Sequence, residues 1–451
     1  MEEGAKSDMI TDRLLDFICS LRYEEISDEA MQKLRQCLVD TIGVTIAGSA
    51  ELEDKNKKLQ ILLGGNAIIR PIGSREKTSL SNAIFINGLN SHILELDDGI
   101  RYGVIHPSAP MFSALIPIAC LENVSWEQFA LGSICGYEVS CRLAHAMQPS
   151  HYSRGYHPTA TCCTIGTAVG IAVMLGFSQK ETKDALSAAT ISASGTLKVL
   201  DDVSQLKAYN CAKAALNGYY AAMLAKSGFA GPKEPLEGKL GFLDMMSDAY
   251  NTNIITANND WLYVEKIYQK PYASCRHTHP EIEAAFSIRQ DSRFKFDEIA
   301  GVDVYTYKGV IGKHDTHDIY GEASARMSIP YSVAIALYTG RAGIAEFTSP
   351  FVEDEQILSL SKYVNILADD TYSAMVPDKR CARVEVRMMN GEVLTDTVEY
   401  PKGEPENPMS DEDLRVKFMQ MCQYGHYDSQ KANTVFETVM NGEKIEIKDL
   451  L

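Results

Sequence analysis

Residues 92–110 read HILELDDGIRYGVIHPSAP, and this stretch gathers two histidines and three acidic residues, namely His92, His106, Glu95, Asp97 and Asp98. Pro107 then begins a run of small and apolar residues that predicts a buried helix, because the first turn of a helix tolerates proline. We therefore expect His106 at the positive end of a helix, where unpaired backbone N–H groups favour an anion.

The same arrangement occurs a second time along the chain. Residues 156–176, YHPTATCCTIGTAVGIAVMLG, place His157 and Pro158 before another run of small residues. A single His-Pro pair at a helix start is usually only a boundary. Two His-Pro-[Ser/Thr]-Ala openings in one chain instead predict a pocket for a ligand with more than one negative group.

The sequence around these two starts predicts a mainly helical protein. Apolar residues recur at three- and four-residue spacing before residue 50, and small residues dominate from 107 to 225. Helical spacing also runs from 81 to 98, where Gly99 is expected to end the helix. Ser178 fits the first position of a capping box for one of the later helices.

A change of pattern near residue 265 predicts an α/β insertion. Residues 300–311 alternate as a strand does, and residues 381–400 predict a hairpin with a type I′ turn at Asn390-Gly391. The pattern is helical again after Pro401. We predict a large all-helical domain built from both chain ends, residues 1–265 and 402–451, and a smaller α/β domain, residues 266–401.

Composition narrows the classes of function. The 451 residues carry a formal net charge of −17, which argues against nucleic acid and anionic membrane surfaces as partners. No apolar run is long enough to span a bilayer and the start of the sequence has no signal pattern, so a cytoplasmic location is expected. The eleven cysteines lack Cys-x-x-Cys spacing, which disfavours zinc and iron–sulfur sites.

Basic residues that could bind carboxylates come from two later segments. Lys207 lies in a helix-like stretch, and Lys270, Arg276 and His277 lie where the second domain begins. An enzyme that acts beside a carboxylate needs cations to hold it and groups to move protons, and histidine suits the proton steps near neutral pH. These candidates supply both needs without a metal or organic cofactor.

Two motifs give only weak indications of a metal site. His314-x-x-His317 has a spacing that is common by chance and lacks a third ligand. The Asp97-Asp98 pair could hold Mg²⁺, but we favour a role in anchoring the loop to Arg101. We therefore predict no metal.

Several motifs in order resemble the MmgE/PrpD family over nearly the whole chain. They are HILELDDG with HPSAP, GYHPTATCCTIGTAVG, QLKAYNCAKAA, KPYASCRHTHP and SARMSIPYSVAIAL. The resemblance implies a helical domain, a smaller α/β lid and an active site between them. It also implies a homodimer that works without a cofactor on a small carboxylate.

The resemblance also assigns residues. His106 and His157 match the family's two His-Pro histidines, and Lys207 and Lys270 match its two active-site lysines. The predicted catalytic residues are His106, His157, Lys207 and Asp97, and the predicted substrate-binding residues are Lys270, Arg276, His277, Glu95 and Arg101. The chain departs from the family pattern at Glu95, and at Cys275, which stands where the decarboxylase branch has a histidine.

The leading hypothesis for function is a cofactor-independent lyase that dehydrates a small di- or tricarboxylate. An epimerase or isomerase is the first alternative, since two histidines on opposite faces of one carbon could exchange its proton. A decarboxylase of a related carboxylate is another. A non-catalytic carboxylate binder is the alternative outside enzymes, because related folds can lose activity.

Overall fold

The structure contains two large clusters of buried apolar side chains. It is a computed structural model, and it describes residues 9–200, 204–442 and 444–450. The larger cluster draws on helices near both ends of the chain and includes Leu14, Phe112 and Phe418. The smaller cluster lies against a four-stranded sheet and includes Val302 and Tyr331. The described part of the chain is therefore mainly helical with a small α/β part.

The described chain as far as residue 256 contains twelve α-helices and none of the four strands. In order they are α1 (Ile10–Ser20), α2 (Asp28–Glu51), α3 (Glu53–Leu63), α4 (Leu80–Asn90), α5 (Ser108–Glu122), α6 (Trp126–Met147), α7 (Ser150–Ser153), α8 (Pro158–Met174), α9 (Gln179–Ser192), α10 (Lys207–Lys226), α11 (Phe242–Met246) and α12 (Thr252–Thr256). The predicted capping box at Ser178 is confirmed at the start of α9.

Glycines allow two largely buried helices, α6 and α8, to pack at close range. A Cβ added at Gly132 would lie 2.6 Å from the carbonyl oxygen of Gly170, and one at Gly166 would lie 2.5 Å from that of Gly136. Such distances are far below a van der Waals contact, so larger residues would force the helices apart. This packing fixes the N-terminus of α8, where His157 lies.

The α/β part contains all four strands of the described chain. They are β1 (Ile299–Thr306), β2 (Val364–Ala368), β3 (Ala382–Met388) and β4 (Val393–Val398), accompanied by α13 (His279–Arg289), α14 (Glu322–Ala325), α15 (Ile329–Thr339), α16 (Glu355–Ser361) and α17 (Asp370–Ala374). The strand order is β2-β1-β3-β4, with β1 parallel to β2 and the other pairs antiparallel.

The hairpin predicted at residues 381–400 is confirmed, but the predicted type I′ turn is wrong. Strands β3 and β4 pair through Arg387 and Val393, and four residues connect them. A type I′ turn needs a positive φ at both central residues. Only Gly391 has one in this turn, at 90°, so the connection is a longer loop.

The chain returns to the larger core through α18 (Asp411–Tyr424) and α19 (Ser429–Asn441). Phe418 packs against Gly43 of α2, where an added Cβ would lie 2.8 Å from the ring. Lys417 reaches Asp40 of α2 at 2.6 Å. The residue boundaries predicted for the two domains stay a prediction. No helix among the described residues is both long and apolar enough to cross a bilayer.

Candidate active site

The loop after α4 places the acidic residues that the sequence singled out. The prediction of a helix through residue 98 is wrong, since α4 ends at Asn90 and Glu95 takes a left-handed φ of 55°. Such a φ is uncommon for a residue other than glycine, and it persists where the surroundings hold it. Two buried lysines do so: Lys270 donates to the Glu95 carbonyl at 3.0 Å and Lys417 to that of Leu96 at 2.9 Å.

The bent loop brings a carboxylate between two histidine rings. Asp97 Oδ2 lies 2.7 Å from His92 Nδ1 and 3.6 Å from His106 Nδ1, and the two ring centroids are 4.8 Å apart. His106 Nδ1 also lies 2.6 Å from the carbonyl oxygen of Asp98. A carboxylate in this place orients imidazole rings and fixes which nitrogen carries the proton. The expectation that Asp97 orients a histidine agrees with this geometry.

Glu95 and Lys207 form a buried ion pair beside these rings. The Lys207 ammonium lies 2.6 Å from both carboxylate oxygens of Glu95, and the Lys270 ammonium lies 3.7 Å from Glu95 and 3.9 Å from Asp97. Burial would raise the pKa of Glu95, but Lys207, His92 and Lys270 hold it well below its ordinary value. Burial would lower the pKa of Lys207, but Glu95 raises it. Both groups are therefore charged.

The two predicted histidines lie at helix starts and are neutral. His157 is the N-cap residue of α8, and His106 precedes Pro107, the N-cap residue of α5. Burial lowers the pKa of His106 to about 3, and burial with nearby Lys207 lowers that of His157 well below its ordinary value. The Nδ1 atom of His157 is buried without a hydrogen-bond partner in the described chain. A neutral imidazole with a free nitrogen is able to accept a proton.

His92, Glu95 and Lys207 line a cavity of about 530 Å³, named here the His92 cavity, and its lining also includes Lys313 and Arg326. His106 and His157 are not among the lining residues; His106 lies behind His92, with the two ring centroids 4.8 Å apart. The lining thus joins the loop after α4, the start of α10 and the segment around α14. This size is in the range of small-molecule sites.

The structure does not bring Arg101 to the His92 cavity. Arg101 donates to Glu404 at 2.7 Å and to Glu406 at 2.8 Å. The expectation that Arg101 anchors the loop of Asp97 and Asp98 is wrong. Its guanidinium pairs instead with Glu404 and Glu406, which lie between β4 and α18. Asp98 accepts hydrogen bonds from the backbone and hydroxyl of Ser108.

Arg276 and His277 are also occupied by other partners. Arg276 pairs with Glu404, which it shares with Arg101, and its guanidinium lies 5.7 Å from the ring centre of Tyr268. His277 contacts the Tyr307 hydroxyl and stacks on His314 at 4.7 Å. Neither residue lines the His92 cavity, so their predicted role in substrate binding stays a prediction.

Sequence reasoning left several site residues unassigned. His92 had a signal, because it shares the short acidic stretch with Glu95 and Asp97. Tyr152 and Lys313 had none, since they belong to separate segments of ordinary composition. Arg326 lies in the SARMSIPYSVAIAL motif, but no role was assigned to it. The His314-x-x-His317 motif does not form a site, because His317 Nδ1 contacts the Ser361 carbonyl while His314 turns toward His277.

Two groups of side chains in the described chain are close enough to share a metal ion. One is Cys275, His277 and His314, and the other is His92, Asp97 and His106; in each, the ligand atoms lie within 4.8 Å of one another. In the second group, Asp97 and His92 already form a hydrogen bond with each other. The first group is flanked by cations. Burial is the largest cause that lowers the pKa of His277 well below its ordinary value, and nearby His314, Arg380 and Arg276 lower it further.

We expect Asp98 to make stability depend on pH. Burial raises the pKa of Asp98 to about 7. The folded state therefore keeps a proton that the unfolded state releases above about pH 4, and stability falls as the pH rises from there toward 7. Asp98→Asn resembles the protonated form, so its free energy of unfolding relative to the natural chain should increase over this range and level off above it.

Urea unfolding of Asp98→Asn and the natural chain at several pH values between about 5 and 8 measures this difference. Asp260→Asn, which alters an exposed acid, is the control and should give a difference independent of pH. A difference for Asp98→Asn that is the same at every pH would contradict the expectation.

Comparisons with known proteins agree with the resemblance. The model of the MmgE/PrpD N-terminal domain matches residues 12–254, and that of the MmgE/PrpD C-terminal domain matches residues 272–441. The cis-aconitate decarboxylase-like protein oryM of Aspergillus oryzae is 23% identical, covering 98% of this chain and 96% of its own. Cis-aconitate decarboxylase of Homo sapiens is 23% identical, covering 91% and 87%. 2-Methylcitrate dehydratase of Escherichia coli is 21% identical, covering 86% and 85%. Since the two domain models together match most of the sequence, the chain belongs to the MmgE/PrpD family.

Proposed function

We propose that the chain is a cofactor-independent lyase that removes water from a small di- or tricarboxylate by histidine acid/base catalysis. The observation that carries the proposal is the ion pair of Glu95 and Lys207, which line the His92 cavity, together with the neutral His106, which packs against His92 of that lining. Lys207 also helps to keep His157 neutral. The relatives are named as dehydratases and decarboxylases of carboxylates, which supports lyase chemistry for the family.

The proposed reaction uses two proton transfers. His157, whose Nδ1 has no partner in the described chain, takes a proton from the carbon next to a carboxylate. His157 is then an imidazolium, and it gives this proton to the departing hydroxyl, which leaves as water while the imidazole becomes neutral again. His106, oriented by Asp97, is the alternative base for the same two steps. Lys207 and Lys270 stabilise the negative charge that develops on the carboxylate during proton removal.

An NMR assay in D₂O tests the proposal on the purified chain. The panel contains hydroxy-, amino- and unsaturated di- and tricarboxylates, each with and without EDTA. We expect one hydroxy acid to lose water and to give alkene signals at the same rate with EDTA. The His157→Gln chain, prepared in the same way, excludes a contaminating enzyme.

Each other result identifies an alternative. Deuterium entry at one carbon without loss of water favours an epimerase, and loss of CO₂ favours a decarboxylase. Binding without any reaction across the panel favours a carboxylate binder. Any of these three would overturn the dehydration that we propose.

We also propose that the chain forms a homodimer through an apolar face of α10. Tyr209, Tyr220 and Leu224 are large, exposed and spaced so that they share one side of the helix, and Phe229 lies exposed just beyond it. An apolar group of this kind on a surface often marks a protein interface.

Light scattering should give twice the mass of a single chain. Leu224→Arg should shift the protein toward the monomer, because a charge would be buried in the interface. The control is Val416→Arg, which alters an exposed apolar residue on α18 and should leave the mass unchanged. A monomeric natural chain would contradict the proposal.

A further inference from the structure

A second cavity, of about 630 Å³, adjoins the first and has an unusual charge. We name it the Arg380 cavity. Its described lining contains Arg101, Arg380, Lys308 and Lys313 and no aspartate or glutamate, and of these four cations Arg101 is already paired with Glu404 and Glu406. The chain as a whole has 60 acidic residues against 43 lysines and arginines. A cavity of this composition is built against the overall charge of the protein, which points to an anionic ligand.

Arg380 is the strongest feature of this cavity. Its side chain is buried at 5% exposure, one nitrogen donates to the Arg101 carbonyl at 2.9 Å, and Nε has no partner in the described chain. No carboxylate of the described chain forms an ion pair with it, whereas the neighbouring Arg101 and Arg276 share Glu404. A buried charge without a counter-charge is costly, so arginines in such places normally face an anion.

The two lysines of the cavity are available for the same ligand. Lys308 and Lys313 are exposed and form no ion pair with the described residues. The Lys313 ammonium lies 4.6 Å from the ring centre of Tyr152. His277 and His314 add no positive charge near neutral pH, because burial lowers the pKa of both, that of His314 to about 4.

The remaining wall of the Arg380 cavity is apolar. Val104, Ile254, Val376 and Pro377 contribute to it. A ligand that fits both parts carries a negative group for the guanidinium and a carbon skeleton for this wall. An inorganic ion would leave the apolar wall without a partner, so an organic carboxylate fits the cavity better.

Tyr152 connects the two cavities. Tyr152 and Lys313 line both of them. Burial raises the pKa of Tyr152, while Lys207 on one side and Arg380 on the other both act to lower it. The hydroxyl is therefore within electrostatic reach of both cations. Since Lys207 is already neutralised by Glu95, the uncompensated positive charge lies on the Arg380 side.

We propose that the Arg380 cavity binds a carboxylate of an organic di- or tricarboxylate, with Arg380 as its buried partner. This deepens the proposed function and rests on it for the choice of a carboxylate. The carboxylate belongs either to the far end of a substrate in the His92 cavity or to a second molecule. A cation at Cys275, His277 and His314 is disfavoured by the same positive surroundings.

Calorimetric titration with tricarballylate, a saturated tricarboxylate, tests the proposal without any turnover. Removing the charged partner in Arg380→Gln should weaken binding by about 10-fold or more. Lys379→Gln removes a positive charge one residue away that lines neither cavity, and should change the affinity by less than about twofold. Circular dichroism and thermal unfolding check that each variant is folded.

Two further variants keep the test decisive if Arg380→Gln folds poorly. Arg380→Lys retains the charge and should bind better than the glutamine variant, and Lys313→Gln alters an exposed residue and should weaken binding severalfold. Unchanged affinity in both Arg380→Gln and Lys313→Gln, or no binding to the natural chain at millimolar tricarballylate, would overturn the proposal.

The stoichiometry separates the two sources of the carboxylate. One site per chain, weakened by both Lys207→Met and Arg380→Gln, means that a single ligand spans the two cavities. Two sites, of which Arg380→Gln removes one, mean a separate molecule. If the natural chain binds tricarballylate through Arg380 but turns over no carboxylate, the proposed lyase function fails while the binding site stands.

Discussion

Replacing His157 with glutamine should lower kcat by about 100- to 10,000-fold, the usual contribution of a general acid or base. Glutamine fills a similar volume and keeps hydrogen-bonding atoms, but it does not transfer a proton at neutral pH. The fold should survive, because Nδ1 of His157 makes no hydrogen bond within the described chain. The backbone contact from His157 N to the Gly195 carbonyl, at 3.1 Å, is independent of the side chain.

The measurement is the steady-state rate with the substrate that the NMR panel identifies, together with deuterium exchange into that substrate. His426→Asn is the matched control, because His426 is exposed and its φ of 50° suits asparagine. It should retain the natural rate. A near-natural kcat in His157→Gln would remove His157 from the proposed mechanism, and equal loss in the control would point to a general defect of the preparations.

Local rules predicted the parts of the site that depend on neighbours in sequence. His106 and His157 precede Pro107 and Pro158, and proline near a helix start is a strong local preference. Both histidines therefore lie at helix starts as expected. The hairpin of β3 and β4 also followed from alternation over adjacent residues.

Long-range contacts decided the rest, and periodicity carries no information about them. Helical spacing continues past Asn90, yet the chain bends at Glu95 because lysines far along the sequence hold the loop. Lys207 is 112 residues from Glu95, and Lys270 is 175 residues away. The resemblance to a family identified these two lysines as active-site residues, but it did not predict that they contact Glu95. Arg380 was predicted by neither route, because its significance lies in the counter-charge that it lacks.

A second large effect is expected at the opposite side of the acidic loop, where Lys417 joins three parts of the fold. Its ammonium lies 2.6 Å from Asp40 Oδ1 in α2 and 2.9 Å from the carbonyl oxygen of Leu96. The side chains of Lys417 and Asp40 are at most 5% exposed. Lys417→Met should lower the free energy of unfolding by about 3–5 kcal/mol, because it leaves Asp40 buried without a partner. It should also lower turnover, since Leu96 lies between Glu95 and Asp97.

The pH dependence and a double variant distinguish this cause from simple loss of packing. Burial raises the pKa of Asp40 while Lys417 lowers it, so the variant's Asp40 should take up a proton more readily and the stability deficit should shrink as the pH falls. Asp40→Asn combined with Lys417→Met removes the unpaired charge, and in urea unfolding it should regain most of the lost stability. If the double variant were no more stable than Lys417→Met, the loss of stability would come from the packing of the lysine stem. The ion pair would then not be the contact that stabilises α18 against α2 and the loop that carries Glu95 and Asp97.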